Sequence, residues 1–130
     1  MLPGPASSSI KIKGTTPFYS DYERLKMVVN NLISNSIRYK GYGRDPELKF
    51  NIKINKKYAE IDVIDNGIGI DKDHIEKVFN MFYRASDKNV GSGLGLFIVK
   101  ETIEKLNGKV SISSKLNEGT SVHIKIPNLV

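Results

Sequence analysis

Two glycine-rich segments constrain the fold of this chain more than any other feature of its sequence. Residues 65–70 read DNGIGI and follow a run of alternating apolar residues, while residues 91–96 read GSGLGL and precede a helical pattern. Glycine allows positive φ and a close approach of the backbone to a ligand. The sequence therefore predicts two binding turns, one after a strand and one before a helix.

Apolar periodicity predicts the regular elements around these turns. Period-two alternation predicts five strands, around residues 10–13, 50–54, 59–63, 110–112 and 122–126. Helical spacing predicts helices at 21–39, about 71–80 and 96–106, the last closed by Asn107-Gly108. Strands and helices do not alternate in this order, which argues against a doubly wound parallel sheet. We predict an α+β two-layer sandwich, a mixed sheet of about five strands covered on one face by about three helices.

Composition indicates one small domain. The chain has 130 residues, 39% of them hydrophobic, and no cysteine, which fits a reducing compartment. Residues 1–9 are expected to be a disordered linker or an expression remnant, and residues 10–130 the domain. The +6 charge is spread along the chain, so a solvated surface is favoured over nucleic-acid binding. We expect a cytoplasmic, monomeric domain without membrane contact, since no apolar run approaches about 20 residues.

Asp65 is the first candidate ligand-binding residue, since it stands where a strand ends and the first glycine turn begins. A carboxylate there can accept a hydrogen bond from the exocyclic amine of adenine and would repel the oxygen of guanine. Gly67 and Gly69 would frame the pocket. The alternative is an ordinary solvated turn, because Asp-Asn-Gly is common in turns.

The second glycine turn predicts a phosphate site, because free N–H groups and the helix dipole at a helix start attract anions. It is not a P-loop, since the Gly-Lys-Ser/Thr ending is absent, and its spacing differs from the dinucleotide fingerprint. A flexible glycine linker is the alternative.

The helix at 21–39 supplies a third group of candidates. Asn31 and Asn35 are four residues apart on one edge, and an amide oxygen is a hard ligand suited to the Mg²⁺ of a nucleotide triphosphate. Arg38 could bind phosphate, and Tyr39 could contact the sugar. For an isolated asparagine, simple solvent exposure is the alternative.

Together these segments resemble the catalytic ATP-binding domain of sensor histidine kinases, in a superfamily shared with gyrase, a heat-shock chaperone and mismatch-repair ATPases. Residues 31–39 look like the N box, 65–69 the first glycine box, 79–84 the F box and 91–96 the second glycine box. The resemblance covers about residues 10–127. The match departs from the family pattern at Ser36 and Lys40, and neither departure removes a ligand.

The resemblance implies a role for each candidate. Asn35 would hold Mg²⁺ with help from Asn31, and Asp65 would recognise adenine with Thr120 close by through water. Arg84 or Lys88, on the side of a short lid at residues 85–90, could approach the γ-phosphate. The backbone of the second glycine turn would bind phosphate, through Gly91, Gly93, Leu94, Gly95 and Leu96.

The resemblance also separates kinase from hydrolase. The ATP hydrolases of the superfamily place a glutamate one helical turn before the metal-binding asparagine, where it activates water. Here that position is Asn31, and an amide is no general base. We therefore expect a protein-histidine kinase domain that binds ATP and Mg²⁺, with a degenerate nucleotide-sensing or scaffold module as the alternative.

The resemblance further implies partners. The phosphate acceptor would be a histidine on a separate dimerisation domain, with a response regulator downstream and a full-length protein that can be anchored in the inner membrane. His74 and His123 are the two histidines of the chain, and both are interpreted as surface or packing residues. The chain is then one module of a larger protein, able to bind nucleotide but lacking the acceptor.

Overall fold

The structure is a computed structural model that describes residues 7–81, 83 and 95–129. Within these residues the chain forms five strands and two α-helices. The strands are β1 (Ser7–Lys13), β2 (Glu47–Ile54), β3 (Tyr58–Asp65), β4 (Lys109–Lys115) and β5 (Gly119–Pro127). The helices are α1 (Tyr22–Arg38) and α2 (Gly95–Lys105).

The five strands form one mixed sheet in the order β1-β2-β3-β5-β4. β1 is parallel to β2, and every other neighbouring pair is antiparallel. Both helices pack on the same sheet face, where their apolar stripes meet those of the central strands. The predicted α+β two-layer fold is confirmed. The buried core consists of Val28, Leu32, Leu48, Phe50, Ala59, Val63, Val99, Ile103, Val122, Ile124 and Ile126.

α1 forms where the sequence predicts it. The Asp21 carboxylate caps the helix by accepting a hydrogen bond from the Arg24 N–H at 3.1 Å. Val28, Leu32 and Ser36 form its buried stripe, and the Ser36 hydroxyl donates to the carbonyl of Ile33. This packing fixes the rotation of α1 about its axis and so decides which edge of the helix lies next to α2.

The predicted helix at residues 71–80 is wrong. Only Ile75–Lys77 form a short 3₁₀ helix, and i→i+3 hydrogen bonds continue on both sides, for example His74 N–H to Asp71 at 2.9 Å. Val78 alone is fully buried between residues 71 and 80. With one buried position, the segment lacks the apolar stripe whose packing sustains an α-helix.

The start of β1 also differs from the prediction. Residues 7–9 were expected in a linker, but they pair with residues 47–49 of β2, and the Ser7 N–H donates to the carbonyl of Pro46 at 2.9 Å. Backbone pairing with an available partner strand is sufficient to order three serines whose side chains are all exposed.

The end of α2 agrees with the prediction. Asn107 has φ of 61°, and the Gly108 N–H donates to the carbonyl of Ile103 at 2.9 Å, which stops the helix. Neither helix in the described part of the chain is long and apolar enough to cross a bilayer.

Candidate functional site

A cavity of about 320 Å³ opens between α1, the start of α2 and one end of the sheet. Its volume is at the lower end of the range of small-molecule sites. The cavity brings together residues that the sequence spreads over more than 80 positions. The predicted site residues that line it are Asn35, Arg38, Tyr39, Asp65, Gly67, Gly69, Gly95, Leu96 and Thr120.

The other predicted site residues are not among the lining. Asn31 lies beside the cavity, and its amide donates to the carbonyl of Met27 at 2.9 Å. The remainder lie outside the described residues, together with the predicted lid at 85–90. They are Arg84, Lys88, Gly91, Gly93 and Leu94.

Asp65 is the last residue of β3 and faces the cavity. Its Oδ1 accepts the N–H of Gly67 at 2.9 Å and that of Thr120 at 3.1 Å. Its Oδ2 has no hydrogen-bond partner among the residues that the structure describes. Burial raises the pKa of the Asp65 carboxyl, and the two backbone hydrogen bonds act in the opposite direction. One carboxylate oxygen is thus fixed by the backbone, and the other is left for a ligand.

The first glycine turn is clamped between two other segments. The Ile68 N–H donates to the carbonyl of Tyr39 at 2.9 Å, and the Asn117 N–H donates to the carbonyl of Ile68 at 2.7 Å. Gly69 has φ of 75°, and a Cβ there would lie 2.1 Å from the carbonyl oxygen of Lys115. The glycine is needed because the turn between β4 and β5 packs directly on it.

The α1 side of the cavity carries amides next to the start of α2. A Cβ on Gly95 would lie 3.3 Å from Oδ1 of Asn35 and 3.7 Å from Oδ1 of Asn31. Both amide groups therefore lie next to the first turn of α2. Within the described residues, the side chains of Asn35 and Arg38 make no hydrogen bond. They are available to a ligand or a metal ion carried by it.

Ser114 is a site residue that the motif analysis missed. It lies opposite Thr120 in the β4–β5 pairing, and Thr120 lies opposite Asp65 in the β3–β5 pairing. The Ser114 Oγ is 2.8 Å from the Thr120 Oγ1. Ser114 and Thr120 lie just beyond the strands predicted at 110–112 and 122–126, so the sequence pattern did not give the register that pairs them.

Arg44 was also missed. Its guanidinium donates to the carbonyl of Asn117 at 2.8 Å and to that of Gly67 at 3.0 Å, and its buried Nε has no partner within the described chain. It ties the loop after α1 to both turns beside Asp65. No local pattern points to this role.

His74 and Tyr83 lie side by side in the cavity lining. The His74 Nδ1 is hydrogen-bonded to the Tyr83 hydroxyl. His74 was interpreted as a surface or packing residue beside the first glycine turn, and the structure shows that it also lines the cavity. Its sequence position, a few residues after the first glycine turn, gave the only hint.

The geometry of the cavity agrees with comparisons to known proteins. Residues 20–129 match the family of histidine kinase-, DNA gyrase B- and HSP90-like ATPases. The chain belongs to this family, and the resemblance inferred from its motifs is confirmed. Its residues match the catalytic ATPase domain of sensor histidine kinases.

Two curated relatives illustrate the similarity. The chain is 38% identical to the methanogenesis regulatory histidine kinase FilI of Methanothrix harundinacea, with 82% of this chain and 12% of that protein covered. It is 37% identical to the sensor protein kinase WalK of Staphylococcus saprophyticus, with 82% of this chain and 18% of that protein covered. The chain thus spans less than a fifth of the length of either protein.

Solved structures show the same architecture. A mycobacterial sensor histidine kinase, MprB, superposes with a TM-score of 0.79 at 26% identity, covering 95% of this chain and 84% of that one. The catalytic domain of the histidine kinase ThkA superposes with a TM-score of 0.78 at 24% identity, covering 95% of this chain and 80% of that one. The second comparison supports the fold alone.

Proposed function

We propose that this chain is the catalytic ATP-binding domain of a sensor histidine kinase and presents the γ-phosphate of ATP to a histidine on a separate dimerisation domain. The observation that carries the proposal is that, among the described residues, the Oδ2 of Asp65 at the end of β3 and the amide of Asn35 in the same cavity have no hydrogen-bond partner. These two groups match the two ends of a magnesium-bound adenine nucleotide.

Asp65 and Thr120 form the adenine end of the site. The Oδ2 of Asp65 accepts a hydrogen bond from the exocyclic amine of adenine. Thr120 lies next to Asp65 and contacts the base through a water molecule. A 6-oxo group in that position would bring two acceptors together with no hydrogen between them. Gly67 and Gly69 shape this end, since any side chain on either would collide with neighbouring backbone.

Asn35 holds Mg²⁺, and Asn31 assists it. The fit rests on the chemistry of the site: amide oxygens are hard ligands, both amide groups lie next to the start of α2, and the Asn35 amide has no competing partner among the described residues. When bound there, the ion would neutralise charge on the transferring phosphate.

The start of α2 forms the phosphate end. Gly95 and Leu96 line the cavity where α2 begins, so N–H groups and the helix dipole favour an anion. We propose that the backbone of Gly91, Gly93 and Leu94, which lie outside the described residues, also binds phosphate, while Arg38 and Tyr39 contact phosphate and sugar from the end of α1. In the same proposal Arg84 or Lys88 acts on the γ-phosphate, where charge develops during transfer.

Asn31 explains why ATP is kept intact until a nucleophile arrives. Its amide donates to the carbonyl of Met27 in its own helix, and an amide has no basic lone pair with which to deprotonate water. Transfer then requires the neutral imidazole of the dimerisation domain. Its nitrogen forms a bond to the γ-phosphorus as the bond to the oxygen of the leaving ADP breaks.

The partners follow from this chemistry. The acceptor histidine belongs to another part of the full-length protein, and a response regulator receives the phosphate downstream. The domain itself works at the cytoplasmic side of a full-length protein that can be membrane-anchored. The isolated domain is monomeric and binds no nucleic acid.

The test is phosphate transfer in trans. The chain is mixed with the dimerisation domain of its own full-length protein and with γ-labelled Mg-ATP. We expect acid-labile label on that domain, lost when its acceptor histidine is replaced and when the chain carries Asn35→Ala. ATP binding without any transfer would instead identify a degenerate nucleotide-sensing module. A salt-sensitive shift of oligonucleotides would point to nucleic-acid binding.

A further inference from the structure

Three side chains form one row across the end of the sheet. Asp65 of β3 pairs with Thr120 of β5, and Thr120 pairs with Ser114 of β4. Paired residues share a sheet face. The next row toward the core is Val63, Val122 and Ile112, all of which line the cavity. The polar row therefore lies on the helix-covered face, at the adenine end of the site.

Ser114 makes three hydrogen bonds from one hydroxyl group. Its Oγ is 2.7 Å from the backbone nitrogen of Ile70, 2.8 Å from the carbonyl oxygen of Gly119 and 2.8 Å from the Oγ1 of Thr120. A hydroxyl has one hydrogen to donate and two lone pairs to accept with. Three partners therefore use its whole capacity.

Two of the three partners determine the direction of the third bond. The Ile70 N–H can only donate, and the Gly119 carbonyl can only accept, so the single Ser114 hydrogen points at Gly119. The Thr120 hydroxyl must then donate to Ser114. With its hydrogen committed, the Thr120 Oγ1 offers the cavity lone pairs only.

We propose that Ser114 is a positioning residue for base selectivity: by holding the Thr120 hydroxyl hydrogen, it makes the Asp65–Thr120 wall accept hydrogen bonds without donating any. The inference rests on the proposed function, since it concerns the adenine end of that site.

An acceptor-only wall discriminates between purines at position 6. The Oδ1 of Asp65 is occupied by two backbone N–H groups, and its Oδ2 is free. A 6-amino group supplies the hydrogens that Oδ2 and the Thr120 Oγ1 accept, the latter through water. A 6-oxo group is itself an acceptor and finds no hydrogen-bond donor on this wall. Without Ser114, the Thr120 hydroxyl can rotate and donate, so the penalty on a 6-oxo purine decreases.

The experiment compares ATP with inosine triphosphate, which carries a 6-oxo group and a hydrogen on N1 but has the same sugar and phosphates. Affinities of both for the chain are measured by calorimetry for wild type, Ser114→Ala, Thr120→Val and the double variant. We expect Ser114→Ala to lower the ATP preference about fivefold, the size of one neutral hydrogen bond. Thr120→Val lowers it similarly.

The double variant separates positioning from structure. If Ser114 acts through Thr120, adding Ser114→Ala to Thr120→Val leaves the ATP preference unchanged. A purely structural role would weaken both nucleotides equally and leave the preference intact, which would overturn the proposal. If Ser114→Ala lowered the ATP preference as much in the Thr120→Val background as in wild type, that result would also overturn the proposal.

Two further variants control for a general loss of structure. Ser113→Ala removes the neighbouring exposed serine on the opposite sheet face and leaves the preference unchanged. Ser114→Cys keeps a weak donor, and its ATP preference is expected between those of wild type and Ser114→Ala. A wild-type chain that binds neither nucleotide would reject the proposed function itself. ATP-selective binding that Ser114→Ala and Ser114→Cys leave unchanged would reject this inference alone.

Discussion

The two walls of the cavity are built in different ways. In the sheet wall, Asp65 accepts a hydrogen bond from the Thr120 N–H at 3.1 Å, and the Thr120 hydroxyl is hydrogen-bonded to Ser114, outside the cavity lining, at 2.8 Å. The helix wall, Asn35 and Arg38 of α1, makes no side-chain hydrogen bond within the described part of the chain. The sheet wall is therefore preorganised, whereas we expect the helix wall to become ordered when it binds a ligand.

From this difference we expect base selectivity and metal dependence to depend on separate walls. A preorganised wall rejects a ligand that leaves its groups unpaired, so we expect base selectivity to depend on the sheet wall. Side chains with free rotamers can adapt to a metal ion and its phosphates, so we expect the Mg²⁺ dependence of binding to depend on α1. Substitutions on each wall test this expectation.

The largest expected effect is on the support of the sheet wall. Gly69→Ala combines a positive φ with a Cβ 2.1 Å from the Lys115 carbonyl oxygen, and we expect it to lower the free energy of unfolding by about 3 kcal/mol or more. Gly43→Ala is the matched control, with φ of 68° and no atom within 4 Å. Its loss should be about 1 to 2 kcal/mol. Urea unfolding compares them, and equal losses would contradict the packing argument.

The second prediction separates binding from stability at Asp65. Asp65→Asn should weaken ATP binding by about 1.5 to 3 kcal/mol, as expected for a charged hydrogen bond. Stability at neutral pH should not fall, because the amide oxygen can accept both backbone N–H groups and no charge is buried. Calorimetry and thermal unfolding measure the two effects.

The control for this variant lies on the same strand. Asp62 is on the opposite sheet face and pairs with His123 at 2.5 Å. Asp62→Asn should leave ATP affinity unchanged. An Asp65→Asn variant with wild-type affinity would refute the adenine assignment.

The elements and residues around the cavity also show how much could be predicted from the sequence. Periodicity predicted α1 and all five strands, because regularly spaced apolar residues leave a strong local pattern, even in β1, whose side chains are all exposed. Asp65 and Asn35 were predicted because their motifs are local. The conformation of residues 71–80 was predicted wrongly, because a few apolar residues fit an α-helix and successive 3₁₀ turns equally well.

Other contacts could not be predicted because they join distant parts of the chain. Arg44 contacts residues 23 and 73 positions away, and no local pattern encodes such distances. Ser114 was missed for a different reason. Its role comes from the register of a hairpin whose strands were predicted, but the residues were considered one motif at a time.

The third prediction concerns the helix wall. Asn35→Ala should abolish the strengthening of ATP binding by Mg²⁺ while leaving the fold intact or stabilising α1 by about 0.5 kcal/mol, because alanine favours helix. Asn30→Ala, an exposed position on the same helix, should keep the Mg²⁺ effect. Titrations with ATP in the presence and absence of Mg²⁺ measure this effect. If Mg²⁺ still strengthened ATP binding to Asn35→Ala, the metal ligand would be a different residue.

The smallest expected effect is the pH dependence of the sheet wall. Because burial raises the pKa of Asp65 in the folded state above 3.8, the folded chain holds this proton more tightly than the unfolded chain. Wild type should therefore lose stability relative to Asp65→Asn as pH rises through the folded pKa. Urea unfolding from about pH 4 to about pH 7 measures the difference. A relative gain with rising pH would mean that the pKa is lowered.

The most direct test of the two-wall account is a calorimetric titration of the chain with a non-hydrolysable ATP analogue and its inosine counterpart, each with and without Mg²⁺. The account predicts that adenine is preferred to a similar extent in both conditions and that Mg²⁺ strengthens both ligands similarly, since the two walls act separately. Binding without base preference, or a preference that exists only with Mg²⁺, would contradict it.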